Sequence, residues 1–215
     1  LVGPILRKVD GDLEHTVFSF IPNTAEMAYF GMLEGLQKHL DRRMEQQLAA
    51  LAVLSDPEAV RRILAQRVRS EKVVLKDIKL RTFIAEGNTR NDLAAHVYDI
   101  TYGSIEPYKD NLVVIDDSIV RGTTSKKIVE LLRHAGAARV HMCIASPELK
   151  YPERYGIDTP SVRELIAANM STDEICKFIG ADSLTFLSVP ELIEALGSER
   201  KYSLVSFDGD YFIKD

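Results

Sequence analysis

The sequence runs to 215 residues with a formal net charge of −5, 46% hydrophobic residues and 27% charged residues. That length suits one substantial core, and the composition is that of an ordinary soluble globular chain. The negative balance argues against a nucleic-acid backbone as main partner, and no apolar run reaches the ~18 residues of a membrane span.

The chain opens on "LVGPILRK" without an initiator Met, which suggests a piece of a longer protein; a processed start or a numbering choice fits equally. No secretory signal pattern is present. "HTVFSFIP" (residues 15 to 22) predicts a short strand stopped by Pro22. Asn23-Thr24 predicts a turn that caps a helix, with Glu26 in its first turn. Met27, Phe30, Leu33, Leu36, Leu40, Met44, Leu48 and Leu51 then recur at helical steps, as a core or interface stripe. Ser55-Asp56-Pro57-Glu58 breaks that run and restarts a helix with Val60, Ile63, Leu64 and Val68 as its apolar side.

The polar stretch "RTFIAEGNTRNDLAAHVYDITYGSIEPYKDN" predicts loop with a short helix near residues 90 to 98. "LVVI" after it is a continuous apolar run, as in strands covered on both faces. The next helix carries Ile128, Leu131, Leu132 and Ala135 on one side and ends at Gly136. "RVHMCIAS" returns to strand, so a βαβ unit with parallel strands is expected. Ser161-x-x-Glu164 and Ser171-x-x-Glu174 are capping-box patterns predicting two helices. "LTFL" predicts a strand, "VPELIEAL" a helix, and Asp208-Gly209 within "YSLVSFDGDYFI" a hairpin. The fold class is α/β, a mainly parallel sheet flanked by helices, in which ligands sit at the carboxyl ends of strands.

Cys143 and Cys176 fall in different predicted elements and read as reduced core thiols, which points to a cytoplasmic protein. The five histidines, His15, His39, His96, His134 and His141, show no ligand spacing and read as structural.

The carboxyl-end rule directs attention to "NLVVIDDSIVRGTTSKKIVELL", residues 111 to 132. Asp116 and Asp117 end the apolar run. Arg121, Gly122, Thr123, Thr124 and Ser125 lie where the loop becomes a helix, whose first amides lack internal partners. Gly122 lets backbone approach closely and the hydroxyls add donors, so this is a phosphate cradle by composition. It lacks the Gly-Lys-Ser/Thr ending of a Walker loop. Carboxylates beside a phosphate cradle suit a phosphorylated sugar, since carboxylates accept from vicinal hydroxyls and hold Mg²⁺.

"VVIDDSIVRGTTS" resembles the phosphoribosyl pyrophosphate (PRPP) motif of type I phosphoribosyltransferases. "RTFI" at 81 to 84, "ASPELKYPERYGIDTPS" at 145 to 161, "IGADSLTFLS" at 179 to 188 and the closing "FDGDYFIKD" resemble the glutamine PRPP amidotransferase family in the same order. The resemblance covers most of residues 13 to 34 and 75 to 215. It implies a type I phosphoribosyltransferase fold over residues 1 to 215, with a helical insertion at about 37 to 72. It further implies that Asp116 and Asp117 bind ribose hydroxyls and Mg²⁺, that Ser118 to Ser125 hold the 5-phosphate, and that Pro22-Asn23-Thr24 holds pyrophosphate with Thr24 near the metal. Arg81 lies in the segment that resembles the family's mobile catalytic loop. The implied reaction forms 5-phosphoribosylamine from PRPP and ammonia in purine biosynthesis. The implied partners are PRPP, purine mononucleotides, an N-terminal glutaminase domain and further copies of the chain.

The sequence also departs from the family. A leading nucleophilic Cys has no counterpart here. Glu153 follows Tyr151-Pro152 and no Cys-x-x-Cys occurs, so no iron–sulfur cluster is expected. Leu80 stands where the family usually has Gly. An acidic pair also marks receiver-type phospho-acceptor domains, but the accompanying Asp and Lys order is missing. The stronger alternative is a non-catalytic sensor of PRPP or purine nucleotides with the same fold. A DNA-binding version would need a basic helical domain, and the arginines of "RRILAQRVR" instead alternate with core positions.

Overall fold

In a computed structural model the chain is described over residues 1–51, 56–76, 98–101, 103–154, 161–197 and 202–212. The main sheet has five strands in the order β2-β1-β5-β6-β7 and every pairing in it is parallel. These are β1 (Thr16–Phe20), β2 (Arg69–Ser70), β5 (Asn111–Asp116), β6 (Arg139–Ile144) and β7 (Ser183–Phe186). A separate antiparallel ribbon joins β3 (Val74–Lys76) to β4 (Tyr98–Ile100). The mainly parallel α/β architecture expected from the sequence is therefore present.

Strand periodicity explains the two cores. Leu112 and Val114 face one side of β5 with Val17, Val140 and Met142, against Ile128, Val129 and Leu132 of α4 (Thr123–His134) and Ile175 and Ile179 of α6 (Thr172–Ile179). Val113 and Ile115 face the other side with Phe18, Phe20 and Cys143, covered by Ile5 and Val9 from α1 (Val2–Lys8) and its end, and by Tyr29, Met32, Leu36 and Leu40 of α2 (Glu26–Leu51). Burying both faces is what a continuous apolar strand requires.

The α2 stripe differs in part from the expected one. Leu36 and Leu40 are buried, but Met27 is 79% and Phe30 52% exposed, because the inward row is Tyr29, Met32, Leu36 and Leu40. The Tyr29 hydroxyl donates to Phe18 O at 3.2 Å, which fixes that rotation. α3 (Pro57–Leu64) begins as expected, with the Asp56 carboxylate accepting from the amides of Glu58 and Ala59. Ile63 is its buried anchor, whereas Leu64 is exposed. Within the stretch near 37 to 72, α2 runs to Leu51 and α3 covers Pro57–Leu64, and Arg69–Ser70 then returns as an edge strand of the main sheet.

Other expectations are corrected. Residues 98 to 100 form β4 rather than loop or helix; the rest of the short helix expected near 90 to 98 lies outside the described residues. Ser161 opens only a 3₁₀ turn, Val162–Glu164, because the Glu164 carboxylate is taken by Arg121 and Leu165 turns extended. A four-residue helix α5 (Ile166–Asn169) follows it. Ser171 and Glu174 do form a full capping box at the start of α6, and so do Ser188 and Glu191 at α7 (Val189–Leu196), a pattern not anticipated. Asp208-Gly209 is not a hairpin. Val205–Asp208 is a short helix, α8, ended by Gly209 at φ 76°. A β-carbon on Gly209 would stand 2.8 Å from the Tyr151 ring, so the tail is packed onto residues 150 to 152 and cannot pair with itself.

The edge strand is anchored by one ion pair. Asp110 is fully buried and its carboxylate takes both arms of Arg69 at 2.7 and 2.8 Å, together with the Glu106 amide at 2.7 Å. Burial by itself would raise the Asp110 carboxyl, but the Arg69 fork and the amide outweigh it and hold it below its ordinary value. Removing one partner of a buried pair strands the other. Asp110→Ala should therefore lower stability by about 3 kcal/mol in urea denaturation at pH 7. Since the carboxyl is held low, the loss should shrink as pH falls below the ordinary value of 3.8. A change under ~0.5 kcal/mol would mean the pair is replaceable by solvent.

Candidate functional site

The register of the sheet assembles the site. Phe20 pairs with Ile115, Asp116 pairs with Ile144, and the Ile21 amide donates to Ile115 O at 2.8 Å. The turn at 22 to 25 therefore stands beside the carboxyl end of β5, with a cis peptide between Pro22 and Asn23 and with Thr24 exposed.

Asp116 is 8% exposed and Asp117 is half-buried. One oxygen of Asp116 accepts the Asp117 amide at 2.9 Å. One oxygen of Asp117 accepts the Ser118 amide at 2.7 Å and the Ser118 hydroxyl at 3.3 Å. The second oxygen of each accepts no hydrogen bond among the described residues. Burial, and next the charge of Asp117, push the Asp116 carboxyl up to about 8. The charge of Lys76 acts the other way.

Lys76 and Tyr98 were not singled out from sequence. They face each other across the β3–β4 ribbon, the ammonium 5.8 Å from the ring centroid. Burial and then the charges of Asp116 and Asp117 push the Tyr98 phenol up to about 12. The ribbon and the carboxylate pair thus act on each other electrostatically. Nothing in "VLK" or "YDI" signals it, because each strand has only three residues and the two lie more than twenty residues apart in the chain.

The predicted cradle is formed next to the pair. Gly122 takes φ 75° as N-cap of α4, and a β-carbon there would stand 2.8 Å from Ile166 Cδ1 and 3.2 Å from Phe178 Cε1. Glycine is required on both counts. The first helical bond of α4 runs from the Lys126 amide to Gly122 O at 2.9 Å, which leaves the amides of Thr123, Thr124 and Ser125 without α-helical acceptors. Thr123 is exposed, Thr124 half-buried and Ser125 buried. Arg121 forks onto Glu164 at 3.0 and 2.8 Å, and the Ile166 amide donates to Val120 O at 2.8 Å, so the loop is pinned to the turn at 162 to 166. Arg81 lies outside the described residues.

The donor set fits a hard divalent cation. Two adjacent carboxylates, one buried and both with an uncommitted oxygen, are oxygen ligands whose mutual repulsion a cation would relieve. Two carboxylates with a hydroxyl are the partial set that suits Mg²⁺, which keeps waters and substrate oxygens as its other ligands. Among the described residues no group of three or more His, Cys, Asp or Glu forms a complete protein-only metal site.

No family model matches the sequence. An amidophosphoribosyltransferase of Staphylococcus aureus is 44% identical over 149 residues, 67% of this chain and 29% of that protein. The chloroplastic amidophosphoribosyltransferase 2 of Arabidopsis thaliana is 57% identical over 104 residues, 48% of this chain and 18% of that protein. The chain belongs to the amidophosphoribosyltransferase family. Two solved structures agree. A glutamine PRPP amidotransferase from B. subtilis, complexed with ADP and GMP, superposes with a TM-score of 0.67 at 31% identity, covering 98% of this chain and 41% of that one. A structure described as the allosteric regulatory enzyme of purine biosynthesis gives 0.61 at 32% identity, covering 98% of this chain and 40% of that one. The chain spans less than a third of these curated relatives and about two fifths of the two solved chains. Its mostly parallel sheet flanked by helices matches their phosphoribosyltransferase-type fold.

The carboxylate pair makes a stability prediction. An acid raised from 3.8 to about 8 binds more protons folded than unfolded, so its burial costs stability progressively as pH rises through that window. Asn at this position cannot ionise. Without divalent cations, Asp116→Asn should be more stable than the parent by roughly 1–3 kcal/mol near pH 8, with the gap closing towards pH 4. Thermal melts across that range decide it, and a gap independent of pH would contradict a buried charge.

Proposed function

We propose that this chain is the phosphoribosyltransferase domain of a purine-biosynthetic amidotransferase, binding Mg²⁺-PRPP and forming 5-phosphoribosylamine and pyrophosphate from PRPP and ammonia. The observation that carries this reading is the carboxylate pair at the end of β5, followed within six residues by the Gly122-capped start of α4. The two features suit the two ends of a ribose 5-phosphate. Asp116 and Asp117 accept from the vicinal hydroxyls, and Ser118 to Ser125, with the open amides at 123 to 125, take the 5-phosphate. Thr24, Asp116 and Asp117 would hold Mg²⁺, which when bound supplies charge neutralisation at the departing pyrophosphate.

The chemistry asks little acid–base work of the protein. Ammonia nitrogen bonds to the anomeric carbon as the carbon–oxygen bond to pyrophosphate breaks, and the electron pair leaves with pyrophosphate. The nitrogen then gives up a proton to water. Positioning the sugar and excluding water are the contributions of the chain. The anionic pair stabilises the positive charge that develops on the sugar. Arg81, in the segment that resembles the closing loop, is assigned to the leaving group.

Purine mononucleotides share the ribose 5-phosphate, and the B. subtilis relative with bound ADP and GMP supports their binding here. A glutaminase domain, assembly with further copies and a cytoplasmic location complete the proposal, as does the absence of an iron–sulfur cluster. No helix among the described residues is long and apolar enough to cross a membrane. Neither thiol suits a glutaminase nucleophile. Burial pushes Cys143 up to about 12, and Cys176 is raised by burial and donates to Ala181 O at 3.2 Å.

Pyrophosphate release from PRPP with Mg²⁺ is the test. Ammonium at alkaline pH should support it and glutamine should not. Asp117→Asn should reduce the rate by about 100-fold or more, as loss of a preorganised charged contact does. Tight PRPP binding with no release from either nitrogen donor would instead establish the sensing module.

A further inference from the structure

The amino end of the sheet, away from the carboxylate pair, holds a cavity of about 520 Å³. Its floor includes Asp12 and Glu14, just before β1, whereas the candidate site lies past the other end of that strand. Five strand residues separate the two by roughly 16 Å. The volume is that of a small-molecule site.

The lining is rich in guanidinium. Arg43 comes from the second half of α2, Arg62 from α3, Arg67 from the chain just after α3, and Arg69 from β2. Their charges are not equally available. Arg69 is committed to Asp110. Arg43 gives one donor to Gly11 O at 3.0 Å, and Arg67 gives one nitrogen to Leu64 O and Gln66 O at 2.7 and 2.6 Å. Those acceptors are neutral carbonyls, so both positive charges remain uncompensated. Arg62 makes no hydrogen bond or ion pair among the described residues. On the acidic side, Asp12 is already turned to His15, accepting its amide at 3.0 Å and its ring nitrogen at 3.1 Å. Three guanidinium charges therefore face two carboxylates, Asp12 and Glu14, and remain in excess.

We infer that this cavity is a second binding site, for a small polyanion carrying phosphate or carboxylate groups. Planar guanidinium forks match both groups, and among the described residues none of Arg43, Arg62 and Arg67 is held in an ion pair. The walls come from α2, α3 and the loop at 11 to 14, so the stretch near 37 to 72 gains a function that does not rest on how the carboxylate site is assigned.

The test titrates inorganic pyrophosphate and citrate, each without Mg²⁺, into ¹⁵N-labelled protein. Saturable amide shifts are expected at residues 11 to 14, 43 and 62 to 69, with the tighter probe reporting which anionic group the site prefers. Arg62→Gln, which removes no bond among the described residues, should weaken binding by about tenfold. Arg43→Gln should do the same, and a folding defect in it would leave the Arg62 variant to decide. Shifts confined to residues 118 to 125, titrations that never saturate, or an affinity unchanged by Arg62→Gln would overturn the inference.

Discussion

The structure hangs on β5. Its backbone is laddered on both sides, to β1 from Asn111 to Ile115 and to β6 from Asn111 to Asp116, and its side chains alternate between the two cores. A register slip of one residue would expose Val113 and Ile115 to the α4 side and reverse every contact. Because both neighbours run parallel to β5, the segments that follow β1, β5 and β6 leave the sheet at the same end. The 22 to 25 turn, the acidic pair and the segment after Ile144 are brought together by the ladder itself; the Ala145 amide donates to Asp116 O at 2.9 Å. The cradle is then held by contacts from further along the chain, Arg121 on Glu164 and the Ile166 amide on Val120 O.

That placement has an electrostatic cost which only function explains. Asp116 is nine-tenths buried next to another carboxylate, with one amide and the charge of Lys76 in its favour. An isolated folding problem would put Asn or Ser there. A pair held in this condition is poised to gain from hydroxyl donors or a cation, and sites of ligand binding are where such local disagreement with stability is expected. The Asp110–Arg69 pair is the contrasting case. Its charges are matched, both guanidinium arms are used, and its position between β2 and the start of β5 gives it a purely structural task.

Much of this was legible in the sequence, and the exceptions share causes. β1, β5, β6 and β7 are apolar runs with clear period or burial, and Asp56 and Ser171 are caps whose acceptor and donor are local. The cradle was legible because Gly122 and its hydroxyl neighbours are contiguous. Tyr98 and Lys76 were not, since they join the site through a ribbon of three-residue strands that no periodicity can mark. Met27 and Phe30 failed because a broad apolar helix leaves its rotation open, and a single hydroxyl contact from Tyr29 decides it. Asp208-Gly209 failed for a similar reason: a glycine with positive φ serves a helix end as well as a hairpin, and only Tyr151 in close contact distinguishes them.

The two ends of the sheet share one element. α2 starts two residues after Thr24, beside the carboxylate pair, and its 26 residues extend about 39 Å. Leu36 and Leu40, both essentially fully buried, fasten its middle to the core that contains Phe18 and Phe20, and Arg43 lies one turn beyond on the cavity wall. A close-packed helix moves as a unit or not at all. The helix that carries Arg43 is therefore the one that starts beside the turn at 22 to 25. The net charge of −5 conceals this arrangement, because it averages an acidic carboxyl end and an arginine-rich amino end of one sheet.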